Sequence, residues 1–279
     1  MADITRKSIQ LPSEISTEII QKTQENSAVM QLARQVQLPG NGVTIPVITG
    51  DAKAKWVTEG TKKPVSNPTL EKKELTPYKL AVIETFSQEF KRDYKSLYDE
   101  LVKRLPLALA QEFDATVFGA TNKPGENFDQ LKGCTAQEIG TNAYDGLVAA
   151  DMDISTHNGI VSGYVISPVA KGTLLASKDQ TGRPLFINSV SEGSIPMILG
   201  AKTLQSKGAY VAGSPNTVGF IGDWTQAVYG TVEGVQIKFS DQATVGDVNL
   251  FEQNMFAVLA EIELGFRCDT TVFNKLTKA

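Results

Sequence analysis

Histidine and cysteine, which serve most often as general base, reactive nucleophile or zinc ligand, are scarce in this chain of 279 residues. Its single histidine, His157, lies in the polar segment STHNG, and any Ser–His–Asp or Cys–His arrangement would have to run through it. A histidine in such a turn is usually only solvated. Zinc sites need clusters of Cys and His, which one histidine and two cysteines do not supply. We therefore predict no catalytic residue, no cofactor and no metal site.

The other chemical signals are equally weak. Asp151 and Asp153 in AADMDIST could suggest a metal, but a spacing of two on a helix points them to different faces, as at a solvated helix end. The chain has no G-x-S-x-G elbow, no phosphate-binding loop and no G-x-G-x-x-G fingerprint. An uncharacterised hydrolase remains the enzymatic alternative, and the lone histidine counts against it.

Composition is that of an ordinary globular protein, with 41% hydrophobic and 21% charged residues. The net charge of -4 argues against a basic surface for nucleic acid. Two cysteines, Cys134 and Cys268, favour a reducing compartment, although a single disulfide between them stays open. No apolar run resembles a signal peptide or a membrane span. We expect a soluble chain, of one large domain or two lobes, that starts in the cytoplasm.

The strongest helical pattern is SLYDELVKRLPLALAQEFDATVFGA. Its apolar residues recur every four positions and form one stripe. These residues are Leu97, Leu101, Leu105, Leu109, Phe113 and Val117. Ser96 with Asp99 resembles a capping box at the start, and Gly119 can end the helix in the left-handed conformation. Pro106 removes one backbone hydrogen bond and predicts a kink.

A lysine-rich excursion, DAKAKWVTEGTKKPVSNPTLEKKELTPYKLAVIETF, precedes this helix. The strand VTIPVI leads into it, and Pro46 predicts that this strand ends there or is an edge. We place Trp56 and Val57 on the outgoing leg, the tip at GTKKPVSNPT, and the return leg at YKLAVIETF. A two-stranded element of this kind is marginal alone in water. Acids among the lysines disfavour a nucleic-acid patch and indicate a solvated or partner-facing hairpin.

The remaining segments mix helices and strands. Ser13 or Ser16 can cap an N-terminal helix. Helices are predicted at NAYDGLVAADMDIST and at PVAKGTLLASKD, where Pro168 takes the first position. Strands are predicted at GYVIS, SIPMILGAKTL, NTVGFIGDW, VEGVQIKFS and MFAVLAEIELGF. Because these elements show no regular βαβ repetition, the predicted fold class is α+β.

Five segments, taken together and in order, resemble the major capsid proteins of tailed bacteriophages, which have the Hong Kong 97-type fold. They are TIPVITGDAKAKWVTEGTKKPVSNPTLEKKEL, LAVIETFSQEFKRD, VISPVAKGTLLASKDQTGRPLF, FIGDWTQAVYG and NLFEQNMFAVLAEIELGFRCDTTVFNKL. The resemblance rests on these features: Ile45-Pro46, Trp56-Val57 before Glu59, the tip at Pro64 and Ser66, the turn Lys178-Asp179 with Gly182, and Gly222-Asp223-Trp224.

The resemblance implies a layout. Residues 1–50 would be an N-terminal arm and first strand, and residues 51–75 the extended loop called the E-loop. Residues 76–139 would form a peripheral domain with a long spine helix, and residues 140–230 an axial domain around five- and six-fold axes. Residues 231–279 would return to the peripheral domain.

The resemblance also implies which residues touch a neighbouring subunit. The E-loop would lie across that subunit with Trp56 as its buried anchor. The implied contact residues on the loop are Trp56, Glu59, Lys62, Lys63 and Pro64. Their lysines could meet Asp99 and Glu100 on the neighbour's spine helix. Covalent crosslinks from Lys62 or Lys63 to Asn249 or Asn254 stay open, since no motif selects any of them.

The implied function is structural. The chain would self-assemble into pentamers and hexamers of an icosahedral shell, enclose double-stranded DNA without sequence-specific binding, and have no contact with membrane. Partners would be a separate scaffolding protein, a portal and in some cases a decoration protein. Its location would be the virion, after assembly in the host cytoplasm. An encapsulin-type bacterial nanocompartment is the alternative of the same fold.

Overall fold

The computed structural model describes residues 21–48, 54, 56–59, 61–63, 65, 70–89, 94–179, 181–186, 195 and 197–278. For residues 45–48, 70, 71 and 94–103 it describes the backbone alone. The helix expected from Ser13 or Ser16 falls largely outside these ranges, although residues 21–26 are helical. In the described part of the chain, no helix is long and apolar enough to cross a membrane.

Four α-helices and fifteen strands are bounded within the described residues. The helices are α1 (Ala28–Leu32), α2 (Tyr94–Phe118), α3 (Ala143–Thr156) and α4 (Pro168–Ala176). The strands are β1 (Arg34–Gln37), β2 (Val43–Ile48), β3 (Leu70–Leu75), β4 (Tyr78–Ser87), β5 (Thr135–Glu138), β6 (Gly163–Ile166), β7 (Met197–Ile198), β8 (Ala201–Gln205), β9 (Asn216–Gly222), β10 (Val228–Thr231), β11 (Gln236–Ser240), β12 (Thr244–Val245), β13 (Val248–Asn249), β14 (Met255–Arg267) and β15 (Phe273–Lys278). The predicted α+β class is confirmed.

Strand β14 is the centre of a five-stranded sheet. Strand β4 pairs antiparallel along one edge of it, and β11 and β10 pair along the other, with β1 parallel to β10. The predicted alternation in β14 is confirmed, because Phe256, Val258, Ala260 and Ile262 are all buried in one core. Helix α2 covers that face, with Phe113 packed edge-on against the ring of Phe266.

Helix α2 contains the predicted apolar stripe. Leu105, Leu109, Phe113 and Val117 are buried, whereas the side chains of Leu97 and Leu101 lie outside the described residues. The helix ends as predicted: Gly119 has φ +83°, its amide donates to Thr116 (3.2 Å), and the amide of Ala120 donates to Ala115 (2.8 Å). This pair of bonds is a Schellman motif.

The start of α2 differs from the prediction. The helix already includes Tyr94, so Ser96 lies inside it and is not its cap. Tyr94 and Lys95, which precede Ser96, are tolerated in a helix. A Ser-x-x-Asp pattern alone therefore does not determine where the helix begins. The helix also continues through Pro106.

A six-stranded sheet, ordered β5-β15-β9-β6-β8-β7, forms the second layer. Helices α3 and α4 cover one face through Leu147, Ile154 and Leu174. The other face meets α2, where Phe118 stacks on Phe220 with ring centroids 4.8 Å apart. Strand β15 lies between β5, to which it is parallel, and β9, to which it is antiparallel.

The Gly222-Asp223-Trp224 motif holds the two layers together. A Cβ at Gly222 would overlap the ring of Phe273. Trp224 is buried between Phe118 and Phe273, and its indole Nε1 donates to the Gly163 carbonyl at 3.0 Å. Burial acts to raise the pKa of Asp223, but hydrogen bonds led by the Thr225 hydroxyl outweigh it and hold the pKa below its usual value. The motif is therefore explained by packing.

Strands β2 and β3 form an antiparallel ladder of their own, from Val43 opposite Leu75 to Ile48 opposite Leu70. We call β2, β3 and their connection, residues 43–75, the hairpin arm. Each strand of a two-stranded ladder is an edge, which accommodates Pro46 inside β2. The return leg predicted at YKLAVIETF is wrong: the return leg is Leu70–Leu75, and Tyr78–Ser87 pairs along β14 instead.

Candidate assembly surfaces

The structure gives His157 no catalytic partner among the described residues. It follows the last turn of α3, half-exposed, with Nδ1 2.8 Å from the Asp153 carbonyl and 3.9 Å from the Asp153 carboxylate. Asp151 lies on another side of the helix, where its charge raises the pKa of Tyr164 in addition to the larger effect of burial. Within the described ranges, no three His, Cys, Asp or Glu side chains lie together as a metal site would require.

Both cysteines are free thiols, buried in the main core. Burial raises the pKa of the Cys134 thiol to about 12, and it raises that of Cys268 as well. A thiol held in its neutral form is a poor nucleophile. The disulfide left open by the sequence does not form here, and these side chains act as small apolar groups of the core.

In the outer part of the hairpin arm, the described residues 54, 56–59, 61–63 and 65 are all exposed. Trp56 is fully exposed, and Val57 and Val65 are 41% and 80% exposed. The described hydrogen bonds of residues 54–65 stay within that segment, between Thr58 and Thr61. A large aromatic side chain with no cover in its own subunit is typical of a contact made in an assembly.

The residues predicted to contact a neighbour fall into two groups. Glu59, Lys62 and Lys63 are exposed beside Trp56, while Pro64 lies outside the described residues. Asp99 and Glu100 lie in α2, but their side chains are not among those described. All of these contacts therefore stay predictions.

The base of the hairpin arm is firmly packed, in contrast to its outer part. Leu75 is fully buried in a small apolar cluster with Leu38 and Val228. Gly42, which opens the arm, has φ +79° and lies so close to the Leu75 carbonyl that a Cβ would clash with it. The arm is thus anchored where it leaves the five-stranded sheet.

Arg267, the last residue of β14, is a polar clamp at this base. Its Nε donates to the Glu74 carbonyl at 2.7 Å, its Nη1 to the Asp129 carboxylate at 2.8 Å and its Nη2 to the Asn127 side chain at 2.8 Å. The Asn127 amide in turn donates to Thr76 at 3.2 Å. One guanidinium therefore joins the arm, the loop after α2 and the central strand.

Sequence patterns do not reveal Arg267 and Asp129 as partners. They are 138 positions apart along the chain, and neither stands in a recognisable motif. A hydrogen-bond pair between remote residues leaves no trace in local periodicity, so only covariation among relatives could have revealed it.

We expect Arg267→Ala to destabilise the isolated subunit by about 3 kcal/mol, because it leaves the half-buried Asp129 carboxylate without its charged partner. Urea unfolding of the subunit measures this effect. Arg183→Ala, at an exposed turn, is the matched control and should change stability by no more than about 0.5 kcal/mol. Equal stability of the two variants would contradict the role given to the clamp.

Comparison with known proteins decides the family. The model of the Phage capsid family matches residues 8–269, nearly the whole chain. The chain belongs to the phage capsid family. A relative named "Probable major capsid protein gp17", from Mycobacterium phage L5, is 30% identical over 295 residues, covering 96% of this chain and 89% of the relative.

Solved structures show the same fold. A chain from Mycobacterium phage Ogopogo superposes with a TM-score of 0.75 at 18% identity, covering 91% of this chain and 92% of that one. A chain described as the capsid of an empty GTA particle, computed with C5 symmetry, has a TM-score of 0.69 at 14% identity and covers 100% and 95% of the two chains.

Family membership confirms the predicted tailed-phage major capsid protein. This capsid protein is structural and acts in a multimeric shell, and its location is the virion. Its relatives belong to a family not known for enzymes, which agrees with the prediction that it has no catalytic function. The bacterial nanocompartment alternative is not favoured, because the named relatives are phage proteins.

Proposed function

We propose that this capsid protein forms pentamers and hexamers of an icosahedral shell with the Hong Kong 97-type layout. In it, α2 is the spine helix and the hairpin arm is the E-loop. The five-stranded sheet belongs to the peripheral domain, and the six-stranded sheet with α3 and α4 to the axial domain. The two layers, the long helix and the projecting arm support this assignment.

The observation that carries the proposal is the contrast within the hairpin arm. Its base is clamped by Leu75 and Arg267, whereas Trp56 has no cover in its own subunit. Such an arm gains its cover from a neighbour, across whose α2 we propose that it lies. There Lys62 and Lys63 would face Asp99 and Glu100. Exposed ion pairs contribute only about 0–1 kcal/mol each, so Trp56 supplies most of the anchoring.

The proposed cargo is double-stranded DNA, enclosed without reading of its sequence. The net charge of -4 supports this, since a shell that attracted DNA strongly would hinder its packing and release. A separate scaffolding protein, a portal and a decoration protein are the proposed partners, and the host cytoplasm is the proposed place of assembly.

The Trp56 contact can be tested by fluorescence, because the chain has only two tryptophans. Trp224 is buried within the subunit, so it resists a soluble quencher such as acrylamide in every state. We expect Trp56 to be quenched freely in the subunit and protected in assembled particles. We also expect Trp56→Ala to weaken each contact by about 2 kcal/mol or more, about thirtyfold in affinity.

Trp56→Phe supplies the control, since its emission reports Trp224 alone and should not change on assembly. Should acrylamide quench the wild-type protein equally in subunits and in particles, Trp56 would not be the anchor.

A further inference from the structure

On the helix-covered face of the six-stranded sheet, acidic and basic residues lie in separate segments of the sequence. Between residues 133 and 170 there is no lysine or arginine. The carboxylates of that segment are Glu138, Asp145, Asp151 and Asp153. The described residues that follow, 171–179 and 181–186, contain Lys171, Lys178 and Arg183 against the single acid Asp179.

The fold places these two segments on opposite sides of the layer. Helix α3 packs against β5, β15 and β9, and α4 packs against β9 and β6. In the sheet order β5-β15-β9-β6-β8-β7, α3 therefore lies toward the β5 edge and α4 toward the other edge. We call the α3 side the acidic flank and the α4 side the basic flank.

The acidic flank is built at the end of β5. Glu138 is exposed at the end of that edge strand, and its carboxylate accepts a hydrogen bond from the Thr141 hydroxyl. Asp145 is exposed in the first turn of α3 and accepts from the Asn142 side chain at 2.6 Å. A Cβ at Gly146 would clash with the Glu138 carbonyl, so the helix lies tightly against the strand end. Among the described residues, no cation neutralises Glu138 or Asp145.

The basic flank faces away from the acidic one. Thr173 of α4 accepts a hydrogen bond from Lys278 of β15 at 3.1 Å, so that side of α4 faces β15 and hence α3. Lys171 is two residues earlier, about 160° around the helix, and so points toward the β8 side.

The turn after α4 adds to this positive charge. Lys178 and Arg183 are exposed there. The Asp179 carboxylate closes that turn by accepting from the Thr181 hydroxyl and the amides of Thr181 and Arg183; these bonds hold its pKa below the usual value. In the part of the chain that the structure describes, none of Lys171, Lys178 and Arg183 forms an ion pair.

Each flank also carries exposed apolar side chains. On α3, Tyr144 and Met152 are 47% and 64% exposed, eight positions apart on one face. On the other side, Leu185 beyond α4 is 47% exposed. A contact between the flanks would thus bury apolar surface between its charged groups.

We propose that the acidic flank of one copy docks on the basic flank of a second copy, so that the chains follow one another head to tail around a ring. This inference rests on the proposed shell function and specifies the contact within each ring. A second copy is the partner because one chain carries both complementary surfaces. A contact between like flanks would place carboxylate against carboxylate, and unlike patches that repeat around an axis close into rings.

Charge reversal tests this pairing. Glu138→Lys and Lys171→Glu each place like charges in every ring contact, and we expect each to lower the yield of particles at least about tenfold. The variant with both changes restores opposite charges in every contact and should recover the yield to within about threefold of wild type. Asp241→Lys, an exposed reversal in the turn after β11, is the control for net charge and should leave the yield unchanged.

Circular dichroism of the separated subunits shows whether each variant folds, and Arg183→Glu replaces Lys171→Glu if that variant does not. Single reversals that assemble as well as wild type, or a double variant no better than the single ones, would overturn the flank pairing. Wild-type particles would still form in that case, and the proposed shell function would stand. An absence of wild-type particles would instead reject the shell function itself.

Discussion

Replacing residues 49–69 by an Asn-Gly turn should leave the subunit folded and abolish particle formation. The ladder from Val43 to Ile48 and from Leu70 to Leu75 would remain, closed by a turn suited to a two-residue hairpin. Leu75 and Arg267 would keep their contacts at the base of the arm. Each subunit would lose Trp56 and the lysines beside it, and with them its proposed hold on a neighbour.

The subunit itself should be no less stable than wild type. The described residues of the removed segment are exposed, and such residues rarely change stability by more than about 0.5 kcal/mol. A shorter connection also reduces the entropy cost of closing the hairpin, by about 0.6 kcal/mol for each halving of its length. Thermal unfolding of the subunit and sedimentation of the assembly mixture measure the two effects separately.

A second variant separates the side chains of the arm from its length. A Gly/Ser connection that is as long as residues 49–69 keeps the reach but removes Trp56, and it too should form no particles. Normal particle yield from the shortened arm, or a subunit that no longer folds, would contradict the role assigned to the hairpin arm.

Asp114→Ala should cause the largest loss of subunit stability, about 3–5 kcal/mol. The Asp114 carboxylate lies buried in α2 and accepts four hydrogen bonds. These come from the hydroxyl of Ser27 (2.6 Å), the amides of Ala28 (3.0 Å) and Val29 (3.3 Å), and the hydroxyl of Ser206 (2.9 Å). Burial raises the pKa of Asp114, and the four bonds lower it in part.

The position of Asp114 explains the size of this effect. It joins the long helix to the start of α1 and to the segment after β8, so its loss leaves donors without an acceptor in both of those places. Urea unfolding measures the change. Glu112→Ala, exposed two residues away, is the control, and Ser206→Ala should cost only about 1 kcal/mol. A loss below about 1 kcal/mol for Asp114→Ala would show that the network adds little.

Local periodicity predicted the elements whose buried faces repeat regularly. The four-residue spacing from Leu105 to Val117 gave the long helix, and the alternation from Phe256 to Ile262 gave the central strand. Gly119 and Pro168 marked helix boundaries correctly, because the left-handed conformation and the first helical position each favour one residue type.

Pairings between distant segments could not be predicted in the same way. LEKKEL, with its four charged residues, has weak strand propensity, yet it pairs with Val43–Ile48 because the cross-strand contacts outweigh that propensity. The last strand, β15, has only two apolar residues, Phe273 and Leu276, three positions apart, so no alternation marks its partners; only the three-dimensional order places it between β5 and β9.

Hydrogen bonds between distant polar residues could not be predicted from the sequence either. Ser27 and Asp114 are 87 positions apart, and no spacing rule connects them. Trp56 was predicted as a contact from its motif, and the structure adds that it is uncovered within the subunit. The contact itself depends on a second chain, whose position a single sequence does not encode in its periodicity.

Electron microscopy of the purified wild-type protein, alone and with a co-expressed scaffolding protein, tests the central claim most directly. We expect closed shells whose images average to rings of five and six subunits, with the hairpin arm of each subunit lying on its neighbour. A protein that stays monomeric at high concentration under both conditions would contradict the account, as would shells in which the arm touches only its own subunit.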